Sequence, residues 1–192
     1  MLGGIVTGVL GLIIRWKDAF APYLSSGEYG EFLAAFLWMV IVGFTMSVVS
    51  QMGFFAYLTV HQFGVNIFKT LRLWNWVQLL IIAIVIFDLV VFRFMPSAET
   101  NNQLFLYLGL LVFLLATALI VAYFKAKWTN KQAFISALFF MIVVTTLEWL
   151  PVLMVRENNI DSWVALLLFP ILAVNAYQLL KLPKLNMTII KL

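Results

Sequence analysis

The stretch FLAAFLWMVIVGFTMSVVSQMGFFAYL, residues 32–58, decides the fold. It contains no charged side chain, and as a helix rising about 1.5 Å per residue it would reach about 40 Å. A bilayer hydrocarbon core is about 30 Å thick, so about 20 apolar residues are enough to cross it as a helix. The stretch therefore predicts a membrane-spanning helix that tilts or runs past the hydrocarbon boundary.

The composition extends this interpretation to the whole chain. Of the 192 residues, 65% are hydrophobic and 10% are charged, and the mean hydropathy is +1.06. A soluble domain is about half apolar and about a quarter charged. The charged side chains gather between apolar runs, and the alternation that barrel strands show over about ten residues is not visible. We predict an all-α integral membrane protein in the lipid bilayer.

Six apolar runs predict six transmembrane helices in one bundle, which form a single polytopic membrane domain over residues 1–192. The expected helices cover about residues 2–14, 32–58, 74–95, 104–124, 133–155 and 163–180. The first run is short for a span. Its length is consistent with a tilted helix or with native residues missing from its start.

Basic residues are divided unequally between the two ends of these predicted helices. One side receives four of them, Arg15, Lys17, Arg93 and Arg156. The other side receives eight, Lys69, Arg72, Lys125, Lys127, Lys131, Lys181, Lys184 and Lys191. The positive-inside rule places the second side in the cytoplasm. We therefore expect a multi-pass protein of the cell membrane with both termini cytoplasmic.

Two acids, Asp88 and Glu148, fall inside predicted spans at similar distances from the outer ends. Intramembrane charges usually face the protein interior and find a partner. The two acids are candidates to share an outward-facing site, with Arg15, Lys17 or Arg93 as the cation. Arg15 is the preferred cation, because Arg93 is five residues from Asp88 and a poor same-face partner in an α-helix. The site is either an ion, proton or ligand site or a polar clamp between helices.

A second polar set is expected toward the cytoplasmic side. Its members are uncharged side chains within or near the apolar runs: Ser50, Gln51, Asn75, Gln78, Asn175 and Gln178. Amides and hydroxyls in such positions hydrogen-bond across helices. This set indicates either packing or a substrate cavity.

After residue 58 the chain reaches the expected cytoplasmic boundary at His61 and Gln62. The spacing of Phe63, Ile67 and Leu71 predicts a short amphipathic helix lying at the interface over residues 60–73. Together with Lys69 and Arg72, the residues His61, Gln62 and Phe63 form a candidate interaction surface.

Several functional classes find no support in the sequence. The chain has one histidine and no cysteine, so we expect no zinc or other metal site of the usual composition. HExxH, GxSxG and P-loop motifs are absent. We therefore expect neither a cofactor nor nucleic-acid binding.

One motif points to a known family. The string SQMGFFAY at residues 50–57, followed by His61, Phe63-Gly64, Trp74-Asn75 and Phe87-Asp88-Leu89, resembles the KinB-signalling pathway activation protein family (KbaA) of spore-forming bacteria. The resemblance implies a multi-pass membrane protein required for a membrane sensor kinase to feed the sporulation phosphorelay.

Three functions remain open at this point. The leading hypothesis is a non-enzymatic membrane regulator that supports or activates that sensor kinase. The alternative is a small transporter or channel-like protein using Asp88 and Glu148. A third is a membrane enzyme that modifies lipid or a partner protein.

Overall fold

The computed structural model describes residues 1–154 and 160–189, with side-chain surroundings for residues 1–154 and 162–181. The regular elements in these ranges are helices: α1 (Leu2–Ile14), a π-helical turn (Trp16–Phe20), α2 (Ala21–Ser26), α3 (Tyr29–Phe68), α4 (Leu71–Ser97), α5 (Asn101–Trp128), α6 (Ala133–Met154) and α7 (Ile160–Ile189). The predicted helix end at Val155 and the charges of Arg156 and Lys191 lie outside the described residues, as does the side chain of Lys184.

The all-helical class is confirmed over the described residues. Among the described residues, α3, α4, α5, α6 and the part of α7 from Ser162 to Lys181 are long and apolar enough to cross a membrane, which makes five candidate spans. Helix α1 has 13 residues and is about 20 Å long at about 1.5 Å per residue. That is less than the hydrocarbon thickness of about 30 Å, so a sixth span stays a prediction.

Helix α3 is longer than the sequence predicted. It continues without a break through the expected boundary at residue 58 and ends at Phe68, where Lys69 adopts a left-handed φ of 57°. The Thr70 side chain then caps the start of α4 by accepting a hydrogen bond from the Leu73 backbone N–H at 3.3 Å. The separate interfacial helix predicted over residues 60–73 is therefore wrong. The residues up to Phe68 continue the helical period of α3, and the first helix-breaking geometry occurs at Lys69.

Helices α1 and α3 touch through their backbones at Gly3 and Gly43. A Cβ atom on either glycine would lie closer than 3.0 Å to the carbonyl oxygen of the other. The Thr7 hydroxyl donates to the Gly3 carbonyl at 2.9 Å, and the Ser47 hydroxyl donates to the Gly43 carbonyl at 3.0 Å. Small residues permit such close approach of helices in membranes. This contact fixes α1 antiparallel to α3.

Helix α6 lies at the centre of the bundle. Its residues 139–146 are all buried, and it packs against α3, α4, α5 and α7. Its turn Phe140–Val144 is a wide π turn, as is Leu89–Phe94 in α4. Such turns bond residue i to residue i+5 and change which side chains share a face. The turn Leu89–Phe94 directly follows Asp88, and the turn Phe140–Val144 ends four residues before Glu148.

Candidate functional site

Glu148 is the buried acid of the bundle centre. It lies on α6 just beyond the wide turn, with 8% of its surface exposed. Its Oε2 accepts a hydrogen bond from Asn175 Nδ2 of α7 at 2.7 Å and a longer one from Ser50 Oγ of α3 at 3.4 Å. Asn175 Nδ2 also lies 3.0 Å from Thr145 Oγ1. One carboxyl oxygen therefore joins three helices.

The second oxygen of this carboxyl is enclosed but unbonded. Glu148 Oε1 is buried without a hydrogen-bond partner. It faces Gly53 of α3 so closely that a Cβ atom there would collide with it. Asn175 Oδ1 and Thr146 Oγ1 are also buried without partners. We call Ser50, Gly53, Thr145, Glu148 and Asn175 the Glu148 cluster.

What the Glu148 carboxyl can do depends on its hydrogen-bond partners, which are uncharged. In the part of the chain with described side chains, the hydrogen bonds to the carboxyl come from an amide and a hydroxyl. An ionised carboxylate is costly to bury in hydrocarbon. The cluster is thus suited to holding a proton at Oε1, or to fixing helix packing through Oε2.

Asp88 lies in different surroundings. Its Oδ2 is 3.4 Å from Arg93 Nε, and the two side chains are 42% and 30% exposed. The expectation that Arg15 would serve as the cation is wrong, because Arg15 lies over the Trp163 ring at 4.6 Å from its centroid. Arg93 reaches Asp88 because the turn Leu89–Phe94 is a π turn, in which residues five apart share a face.

The site predicted to be shared by Asp88 and Glu148 is therefore not formed. Each acid has its own partners, on α4 for Asp88 and on α3 and α7 for Glu148. The outward-facing pair expected from sequence is replaced by a half-exposed ion pair and a buried carboxyl.

The predicted cytoplasmic polar set also divides. Ser50 and Asn175 join Glu148, while Gln78 of α4 accepts a hydrogen bond from Ser136 Oγ of α6 at 3.2 Å. Gln51 is exposed. Asn75 and Gln178 are half-buried, and each has a buried side-chain oxygen without a partner.

A separate aromatic cluster lies at the end of the bundle where α3 finishes and α4 begins. Trp74 Nε1 donates to His61 Nδ1 at 3.0 Å, and Tyr57 Oη donates to the Ser136 carbonyl at 3.0 Å. The Trp74 ring packs directly on Gly64, where a Cβ atom would collide with it. His61 is thus half-buried inside the protein.

The rest of the candidate interaction surface is exposed. Gln62 and Phe63 on α3, Lys69 in the connection and Arg72 on α4 all face outward. They surround the short α3–α4 connection, and His61 is the member that points inward.

Sequence reasoning missed several residues of these sites. Gly53, Thr145, Tyr57 and Ser136 lie in apolar runs and carry no signal of their pairing before the helices are packed. Lys125 Nζ donates to the Leu179 carbonyl at 2.9 Å, and the sequence does indicate that this carbonyl needs a donor. Pro183 lies four residues after Leu179 and lacks the N–H that this carbonyl would otherwise accept.

No metal-binding group stands out in the described ranges. No set of three or more His, Asp or Glu side chains there could hold a metal ion. Over the described residues, the fold and the Glu148 cluster define an all-helical protein with helices long and apolar enough to cross a membrane and polar contacts between them.

Comparison with known proteins identifies the family. The KbaA family, described as KinB-signalling pathway activation in sporulation, matches residues 3–185, and the chain belongs to this family. The chain is also 43% identical over 183 residues to a Bacillus subtilis (strain 168) protein called KinB-signaling pathway activation protein. That match covers 95% of this chain and 90% of the relative. No solved structure matches the chain.

Proposed function

We propose that this protein is a non-enzymatic membrane regulator that supports or activates a membrane sensor histidine kinase feeding the sporulation phosphorelay. Family membership supports the pathway, because the family's description and the relative's name both refer to activation of KinB signalling. The helical membrane architecture supports action within or at the edges of the bilayer.

The exposed surface of α3 supports the proposal that the kinase is bound inside the membrane. Six of the forty residues of this helix are buried. Its exposed apolar face repeats every three or four residues, at Leu33, Leu37, Ile41, Phe44, Val48, Met52 and Phe55. A second transmembrane helix can pack along such a face, because helix association in lipid depends on side-chain packing.

The exposed residues at the α3–α4 connection extend this face into water. In the proposed orientation, six helices cross the membrane, both termini are cytoplasmic, and Lys69 and Arg72 lie on the cytoplasmic side. The support is the uneven division of basic residues between the two ends of the bundle. A cytoplasmic segment of the kinase next to its membrane helices would meet Gln62, Phe63, Lys69 and Arg72.

Site-specific photocrosslinking in sporulating membranes tests this proposal. A photoreactive residue at Phe55 on α3, which is 67% exposed, should form an adduct with the kinase. The matched control is Val112 on α5, which is 65% exposed and apolar, and it should give no adduct. Failure of every position on the exposed face of α3 to crosslink the kinase would argue against direct support through this helix.

A second candidate function is a small transporter or channel-like protein. The observation that favours it is the enclosed, unbonded Oε1 of Glu148. The double variant Asp88→Asn/Glu148→Gln separates the two functions at matched protein level. A regulator should keep its signalling activity, whereas a transporter should lose signalling together with flux or ligand binding in vesicles.

A further inference from the structure

A cavity of about 270 Å³ opens at the end of the bundle where α3 and α5 finish and α4 and α6 begin. Its polar lining includes Tyr57, His61, Lys125, Asn130, Gln132 and Ser136. None of the described residues that line the cavity carries a carboxylate. The electrostatic character of the cavity therefore favours an anion.

Lys125 is anchored in the wall of the cavity. Its ammonium group donates to the Leu179 carbonyl at 2.9 Å, which lacks a helical donor because Pro183 has no N–H. An ammonium group has three donors. Two of them remain for a ligand, and the one that is used holds the side chain in place.

His61 supplies a second oriented donor. Its Nδ1 accepts the hydrogen bond from Trp74 Nε1. A neutral imidazole that accepts at one nitrogen carries its hydrogen on the other, so Nε2 is a donor. Asn130 Oδ1 accepts from the Ala133 backbone N–H at 3.0 Å, which leaves the Asn130 NH₂ group as a further donor.

The remaining wall is apolar and includes Phe54, Leu58, Leu71 and Leu179. Small-molecule sites usually enclose about 300–1,000 Å³, so this cavity suits a headgroup better than a whole lipid. We propose that it binds the phosphate-bearing headgroup of an anionic phospholipid, whose acyl chains leave along the apolar wall into the bilayer.

The position of the cavity agrees with this ligand. Basic pockets between transmembrane helices on the cytoplasmic side bind anionic headgroups, and the cavity opens at the end that carries Lys69, Arg72, Lys127 and Lys131. The inference rests on the proposed orientation but not on the proposed activity, because lipid binding is measured without the kinase.

Native mass spectrometry of the full chain, released from nanodiscs, measures retained lipid. With equal phosphatidylglycerol and phosphatidylcholine, the wild type should retain phosphatidylglycerol preferentially. Lys125→Met should reduce that preference about five-fold, the change expected from one lysine near an anionic surface. Lys125→Arg should keep the preference. The matched control Lys127→Met changes an exposed lysine of the same helix and should keep it too.

A second variant addresses the cavity without changing its charge. Ala133→Leu places a larger side chain in the lining and should also lower phosphatidylglycerol retention, so a folding defect in Lys125→Met would not decide the result. An absence of preference in the wild type would overturn the proposal, as would equal losses in the Lys125→Met and Lys127→Met variants. Displacement of the lipid by millimolar glycerol phosphate would contradict the proposal that the ligand is a phospholipid, and it would assign the site to a soluble phosphate compound.

Discussion

Asn175 Nδ2 donates a 2.7 Å hydrogen bond to Glu148 Oε2, and this contact joins α7 to the central helix α6. Ser50 adds α3 to the same carboxyl oxygen at 3.4 Å. In the hydrocarbon core of a bilayer, no water is present to hydrogen-bond a polar group that has lost its protein partner. Removing Asn175 or Ser50 therefore costs free energy, because the Glu148 oxygen is left with an unsatisfied hydrogen-bonding position.

Replacing Asn175 with leucine should lower the free energy of unfolding by about 1–3 kcal/mol, the cost of leaving a buried acceptor poorly satisfied. Thermal unfolding in detergent measures the change. The matched control is Gln178→Leu on the same helix, since the Gln178 oxygen has no partner to lose. Equal destabilisation by both variants would show that the Asn175–Glu148 bond contributes no specific stability.

Gly53→Ala should also destabilise the protein, because its Cβ would collide with the Glu148 carboxyl. Gly109→Ala on α5 is the control, as its Cβ would meet no atom within 4 Å. Adding Glu148→Ala to Gly53→Ala removes the collision, so the double variant should lose less stability than the sum of the single variants. Additive losses would contradict the contact.

The Asp88–Arg93 pair should contribute to stability in the bilayer, because both side chains lie in the candidate span Leu71–Ser97 and a charge inside the membrane is costly without a partner. Asp88→Asn should therefore lower the unfolding temperature, because it leaves Arg93 without its counter-charge. Asp88→Arg should lower it more by placing two like charges together, and Asp88→Arg/Arg93→Asp should recover most of the loss. A double variant as unstable as Asp88→Arg would mean that the two side chains do not interact.

Cysteine labelling should map the proposed orientation directly, because the chain has no native cysteine. Single cysteines at Thr70 and Asn130 should react with a membrane-impermeant maleimide after the membrane is permeabilised. Cysteines at Ser25 and Thr100 should react in intact protoplasts. The reverse pattern would overturn the orientation derived from the basic residues.

Five of the six predicted runs coincide with described helices that are long and apolar enough to cross a membrane, because apolar run length is a local property of the sequence. The sequence misassigned the partners of the acids for two physical reasons. The π turn after Asp88 brings Arg93 to the same face, whereas α-helical spacing separates them. Ser50 was expected in the cytoplasmic half because the second span was expected to end at residue 58, but α3 runs on to Phe68. Ser50 therefore lies near the middle of its helix and level with Glu148.

Other contacts depend on packing that no local pattern encodes. The approach of Gly53 to Glu148 joins two residues far apart in the chain, and a glycine in an apolar run has many other uses. The contact between Arg15 and Trp163 is of the same kind. The Lys125–Leu179 contact is an exception, since Pro183 marks an unsatisfied carbonyl in the sequence itself.

The crossing of α1 and α3 has a local two-fold symmetry. In each helix, a glycine carbonyl accepts from a hydroxyl four residues later, Thr7 for Gly3 and Ser47 for Gly43, and each glycine faces the carbonyl of the other. Substitutions at the two glycines are thus equivalent perturbations. Gly3→Ala and Gly43→Ala should lower the unfolding temperature by similar amounts, and the double variant should lose less than their sum, because the first methyl group already separates the helices.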